Sequence, residues 1–192
     1  MKEEARERML DYVRPLAAGL DGLTNYGDVE RVLAAAETIA DGTPGADPDL
    51  LFLLAVFSGQ DRWVSRLGHR SRTEIFLESL GVPRRTIAAL FRSLGRFLAA
   101  PKSVEERVVH DAVAIDAMGA YGIARLAVEA HRERLAIPEI AALVEEAAAR
   151  PLLTEAAEVL AAPRRAAMRA FAEGLRAEHA EFAGRPAGRP RG

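Results

Sequence analysis

Apolar positions in this chain recur at three- and four-residue intervals, and no stretch alternates as a half-buried strand would. That pattern predicts an all-α protein. Lys2 to Leu16 places Met9, Leu10 and Val13 at helical spacing. Ala17 to Gly27, with three glycines and Asn25, reads as a loop. Asp28 reads as the cap of the next helix, whose apolar face runs Val29, Val32, Leu33, Ala36 and Ile39. The run DGTPGADPD, residues 41 to 49, is turn chemistry, with Asp47 as an N-cap and Pro48 in the first turn. The stretch Leu50 to Phe57 follows without a polar residue. A helix with no solvated face is predicted to be buried.

Ser58 to Gly68 is polar apart from Trp63 and a few aliphatics, and reads as a loop or a broken helix. His69 to Leu80 is helical, with Gly81 as its stop. Pro83 starts a helix with Ile87, Leu90, Phe91, Leu94, Phe97 and Leu98 on one face, and Pro101 breaks it. Ser103 and Glu106 form a capping-box pattern ahead of Val108 and Val109. Gly119 and Gly122 predict a bend or a close helix contact near Ala117 to Ala124. Pro138 opens a short helix, and a last one runs from about Leu153 to Phe182 with a kink at Pro163. The expected organisation is an N-terminal helix and loop over residues 1–21, one helical domain over 22–182, and a disordered tail over 183–192.

Composition narrows the function classes. There is no cysteine, which excludes disulfides, thiolate zinc sites and a cysteine nucleophile. No apolar run approaches the ~20 residues needed to span a bilayer, and the N-terminus lacks the basic and apolar regions of a secretory signal. A cytoplasmic protein is the expectation. The net charge of −2 gives no global field for nucleic acid or an anionic membrane, so neither is expected as a partner. Only Lys2 and Lys102 are lysines. With so much Ala and Gly alongside, the arginine excess reads as the bias of a GC-rich bacterial genome.

Five segments, in order, resemble the HD superfamily of metal-dependent phosphohydrolases, in particular its small stand-alone bacterial members. They are GDVERVLAAAETIA, LLFLLAVFSGQ, EIFLESLGVP, HDAVAIDAMGAYGIARL and TEAAEVLAAPRRAAMRAFAEGL. The likeness covers roughly residues 22 to 180. Its most specific part is the spacing of Asp111, Asp116, Gly119, Gly122 and Arg125. The resemblance implies a single compact HD-like helical bundle. It also implies a site of one His, an adjacent His–Asp pair and a distant Asp, which together hold divalent metal for phosphoester hydrolysis. At the matching positions this chain has Asp28, then Ser58 and Gly59, then Asp111; Val113 replaces a further acid. Such a site needs about three good protein ligands. Two carboxylates and a neutral hydroxyl fall short, so no metal and no other cofactor is expected.

The leading expectation is therefore a catalytically altered or inactive HD-like protein that binds a small ligand, anionic in one reading, or a protein partner in the former active-site pocket. The first alternative is a metal-independent acid–base enzyme working through Asp28, His69 or Asp111. The second is a phosphohydrolase with a rewired site of Asp28, Asp61, His69 and Asp111. Ser58, Trp63, Arg62, Arg66 and Arg70 are the candidate ligand-binding residues, the arginines as an anion-binding rim and Trp63 as a lid or as packing under the loop. Arg72 shares that basic stretch, which reads equally as a solvated face. His110 adjoins Asp111 but points about 100° away, and is read as structural or solvent-facing. Asp116 is expected to pair with an arginine or cap a backbone segment. His131 and His179 are expected on the surface. The sequence does not fix an oligomeric state or a substrate.

Overall fold

A computed structural model describes residues 1–17, 26–60 and 67–183. Those residues form nine helices and no strand. In chain order they are α1 (Glu3–Ala17), α2 (Tyr26–Asp41), α3 (Pro48–Phe57), α4 (Leu67–Ser79), α5 (Arg84–Leu94), α6 (Val104–Asp116), α7 (Gly119–Glu133), α8 (Ile137–Ala149) and α9 (Glu155–Ala183). The chain divides into two units. One comprises Met1–Asp116 with Leu152–Leu160, the other Ala117–Pro151 with the chain from Ala161 onward.

The first unit is organised around α3. Every residue from Leu51 to Phe57 is buried. Helices α2 and α6 pack on α3 and on each other, α5 packs on α3, and α1 lies against α2 and α3. Ala36, Ile39, Leu90, Val108 and Ala112 complete the core. A fully buried Leu or Phe contributes about 1.5–3 kcal/mol, so this one helix supplies a large share of the unit's stability. Its start is fixed by local chemistry. The Asp47 carboxylate accepts from the Asp49 N–H at 2.9 Å and the Leu50 N–H at 3.2 Å, with Pro48 in the first turn. The Asp47 N–H donates in turn to Glu105 of α6 at 2.8 Å.

Other boundaries also follow from short-range chemistry. Gly81 ends the α4 segment at φ +77°, a backbone geometry that glycine adopts without strain. The Ser103 hydroxyl accepts the Glu106 N–H at 3.2 Å, and the Glu106 carboxylate accepts the Ser103 N–H at 3.4 Å, closing the expected capping box. Two expectations shift. Helix α2 begins at Tyr26, so Asp28 lies inside its first turn rather than ahead of it. Helix α5 ends at Leu94, where Gly95 follows, although Phe97 beyond it is still buried.

In the second unit α7 packs on α8. The glycines expected to mark a close approach do so. Gly119 has φ +73°, and a Cβ on Gly122 would stand 2.0 Å from the Ala117 carbonyl oxygen. Arg176 of α9 forms a two-pronged ion pair with Glu145 of α8. Pro163 lies within α9 without ending it.

Candidate functional site

Asp111 projects from α6 and is fully buried. Its carboxylate holds the backbone ahead of α9. Both oxygens accept the Leu153 N–H at 3.0 Å, and Oδ2 also accepts the Thr154 N–H and the Thr154 hydroxyl, each at 2.8 Å. The His110 ring turns back far enough for Nδ1 to stand 2.9 Å from Oδ1. The two side chains therefore meet although their Cβ directions diverge. Thr154 then passes the arrangement on, its oxygen accepting the Ala157 N–H at 3.3 Å. A carboxylate surrounded in this way works as a remote cap for a helix N-terminus.

Asp28 is mostly buried and forms an ion pair with Arg31, three residues on. The Arg31 Nε donates to Asp116 Oδ1 at 2.6 Å, which ties the start of α2 to the end of α6. Partial burial alone would lower the guanidinium's pKa. The bond and charge of Asp116, joined by those of Asp28, outweigh this and hold it above its ordinary value. Asp116 therefore pairs with an arginine, as expected. Arg31 was readable as a partner from its spacing to Asp28, but the sequence reading passed over it.

Ser58 ends α3, is buried, and donates its hydroxyl to the Ala55 carbonyl at 2.8 Å. Gly59 is exposed and offers no side chain. Gln60 is only 5 % exposed. His69 is partly exposed in the first turn of α4, and its carbonyl accepts the Thr73 hydroxyl at 2.9 Å. Arg70 pairs with Glu74 at 2.9 Å and lies 4.7 Å over the Phe91 ring. His131 and His179 are exposed. Asp61, Arg62, Trp63 and Arg66 lie outside the described residues. Asp28, Ser58 and Asp111 thus bond to three different sets of partners.

These residues do not fit the divalent metal that the resemblance implies. Asp111 spends its oxygens on a helix cap, Asp28 is neutralised by Arg31, Ser58 is a neutral donor to the backbone and Gly59 has nothing to coordinate with. Among the described residues no group of three or more His, Asp or Glu side chains could hold a metal ion.

No protein-family model and no curated protein sequence matches the chain. Solved structures do. A Listeria innocua protein, Lin1889, superposes with a TM-score of 0.74 at 20% identity, over 93% of this chain and 97% of that one. An HD-superfamily hydrolase from Bacillus thuringiensis gives 0.71 at 19% identity, over 93% and 98%. Bacillus subtilis YpgQ, in complex with ADP, gives 0.69 at 19% identity, over 94% and 96%. None of the described helices is long and apolar enough to cross a membrane. On its helix order and on these superpositions, the chain has an all-α, HD-like fold.

Proposed function

We propose that this chain is a cytoplasmic HD-like protein that has left metal-dependent phosphoester hydrolysis and binds a small anionic ligand, of nucleotide type, in the pocket the resemblance implies. The observation that carries the first half is the bonding of Asp111. It is the one acid retained from the implied ligand set, and its two oxygens already accept from Leu153 and Thr154. A metal there would have to displace buried hydrogen bonds, and the imidazoles that would repay the exchange are missing. The second half is supported by the arginines at 62, 66 and 70 beside the Ser58 position, and by the ADP bound to YpgQ, a protein of the same fold.

The test combines three measurements on protein prepared without chelator. Elemental analysis should find manganese, iron, nickel and zinc well below stoichiometry. Nucleotides and simple phosphoesters should not turn over when each metal, or magnesium, is added. ADP and pyrophosphate should bind in metal-free buffer. Near-stoichiometric metal and phosphatase activity, both lost in His69→Ala, would establish the rewired site and overturn the proposal.

A further inference from the structure

Charge is sorted by burial along α5, α6 and the loop that joins them. From Arg84 to Asp116 the chain carries six Lys or Arg residues and four acids. All four acids turn inward. Glu105 accepts the Asp47 N–H, Glu106 accepts from Ser93 and Arg96, Asp111 holds Leu153 and Thr154, and Asp116 meets Arg31 with its side chain 6 % exposed. The cations turn outward. Arg84, Arg85, Arg92, Lys102 and Arg107 are exposed, and Arg96 is partly exposed beside Glu106. The exposed charges that this span contributes are therefore all positive.

Glu106 also fixes where the joining loop sits. Its carboxylate takes the Arg96 guanidinium just beyond α5, and the Lys102 N–H at 2.6 Å and Ser103 N–H at 3.4 Å just before α6. Phe97 is fully buried and anchors the turn between them. The next three residues, Leu98, Ala99 and Ala100, face water, with Leu98 45 % exposed. One exposed leucine is ordinary on any protein. Here three consecutive apolar residues form the outer side of an anchored turn, and the basic residues before and after them in the chain are Arg92, Arg96, Lys102 and Arg107.

We infer that this loop docks on an anionic lipid bilayer, with Leu98 entering the interfacial layer and the flanking cations meeting headgroup phosphates. An apolar tip between cations fits a surface with negative charge outside and hydrocarbon beneath. A nucleic acid offers the charge but no apolar layer to receive an aliphatic tip. The net charge of −2, from which no membrane partner is expected, describes the whole chain. At a contact only charges within about a Debye length, ~8 Å, act strongly. The inference is independent of the nucleotide reading.

The test uses the full chain with vesicles of phosphatidylcholine alone or mixed equally with phosphatidylglycerol. The wild type should sediment with the mixed vesicles at low salt, be released by high salt, and ignore phosphatidylcholine. Arg92→Gln combined with Arg107→Gln should weaken binding roughly twentyfold, at about fivefold for each cation. Leu98→Ser should weaken it roughly threefold to tenfold. The chain has no cysteine, so one introduced thiol reports one position. An environment-sensitive fluorophore on Leu98→Cys should brighten and shift to the blue with mixed vesicles. The same label on Thr38→Cys, at an exposed position of α2, should not. The label readout decides the matter even where a variant melts lower than wild type. No sedimentation at low salt would overturn the inference. So would sedimentation with no change at position 98, or an oligonucleotide that binds and competes with vesicles while Leu98→Ser has no effect, since each marks a contact made by charge alone.

Discussion

Asp111 and Ser58 are both buried polar side chains, and their bonds reach over different distances along the chain. Asp111 is over-supplied with donors: two backbone N–H groups, a hydroxyl and an imidazole converge on it. Ser58 gives its hydroxyl to the Ala55 carbonyl, three residues back in its own helix. The first arrangement stabilises the joint between α6 and α9 and leaves the carboxylate little freedom for anything else. The second is satisfied within one helical turn. The contrast teaches that two positions at which the resemblance implies metal ligands are here bonded to the protein's own backbone. The retained acid serves the start of α9, and Ser58, where the resemblance implies a histidine, serves the end of its own helix.

If that contrast holds, removing Asp111 should have the largest effect of the changes considered. Asp111→Ala strands the Leu153 and Thr154 N–H groups. At about 1–3 kcal/mol for each group left unpaired the two would cost about 2–6 kcal/mol, and because Leu153 is itself exposed, so that water can reach the freed N–H groups, the expected loss is in the lower part of that range, about 2–4 kcal/mol. For a chain of this size that is a fall in melting temperature of roughly 5–15 °C. Asp111→Asn, which keeps one acceptor oxygen, should fall between. Thermal melts followed by circular dichroism decide it. A change of less than about 2 °C would show that the cap is not what holds α9, and the carboxylate would again be a candidate for chemistry.

Glu106 sharpens the comparison, being the second buried carboxylate tied to a helix start. Burial alone would raise its pKa. The Ser93 hydroxyl, the Lys102 and Ser103 N–H groups and the Arg96 charge together outweigh burial and hold it below the usual carboxylate range. The sign follows from linkage. A depressed folded-state value gives stability that is fully present above the unfolded-state value of about 4.3 and is lost as pH falls through the folded value. Glu106→Gln should therefore cost about 1–2 kcal/mol at neutral pH, in line with bonds to a charged acceptor. The gap to wild type should close as the pH falls below about 4.3. Urea denaturation of both proteins at a series of pH values tests this. A gap independent of pH would mean that the ionised form is not what the fold favours.

Much of the fold could be read in the residues themselves. Of the eight apolar residues from Leu50 to Phe57, seven are in the core, and Asp47-Pro48, Gly81, Ser103 with Glu106, and Gly119 with Gly122 mark boundaries through local chemistry that acts over a few positions. The site was less legible because its bonds are long-range. Nothing near Asp111 in sequence announces that its partners lie at 153 and 154, and the turn of His110 onto it depends on side-chain torsions rather than spacing. Asp28 looked like a cap because a polar residue precedes an apolar face. The helix starts two residues earlier, and the side chain instead meets Arg31.

The smallest expected effect is at Gly59, beside Gln60. A glycine can be present because the backbone demands it or because no side chain is wanted. Gly122 is of the first kind, since a Cβ there would collide with the Ala117 carbonyl oxygen. Gly59 is not. A Cβ at that position meets nothing within 4 Å, and its φ is not among the positive values found at Gly45, Gly81 and Gly119. Gly59→Ala should therefore change stability by less than about 0.5 kcal/mol, or stabilise by a similar amount through restricting the unfolded chain. Denaturant titration at neutral pH measures this. A loss above about 1 kcal/mol would show that backbone geometry excludes any side chain here, and the missing acid of the His–Asp pair would need no functional explanation. A neutral result means that the backbone at 59 accepts a Cβ, so glycine there is not a requirement of the fold.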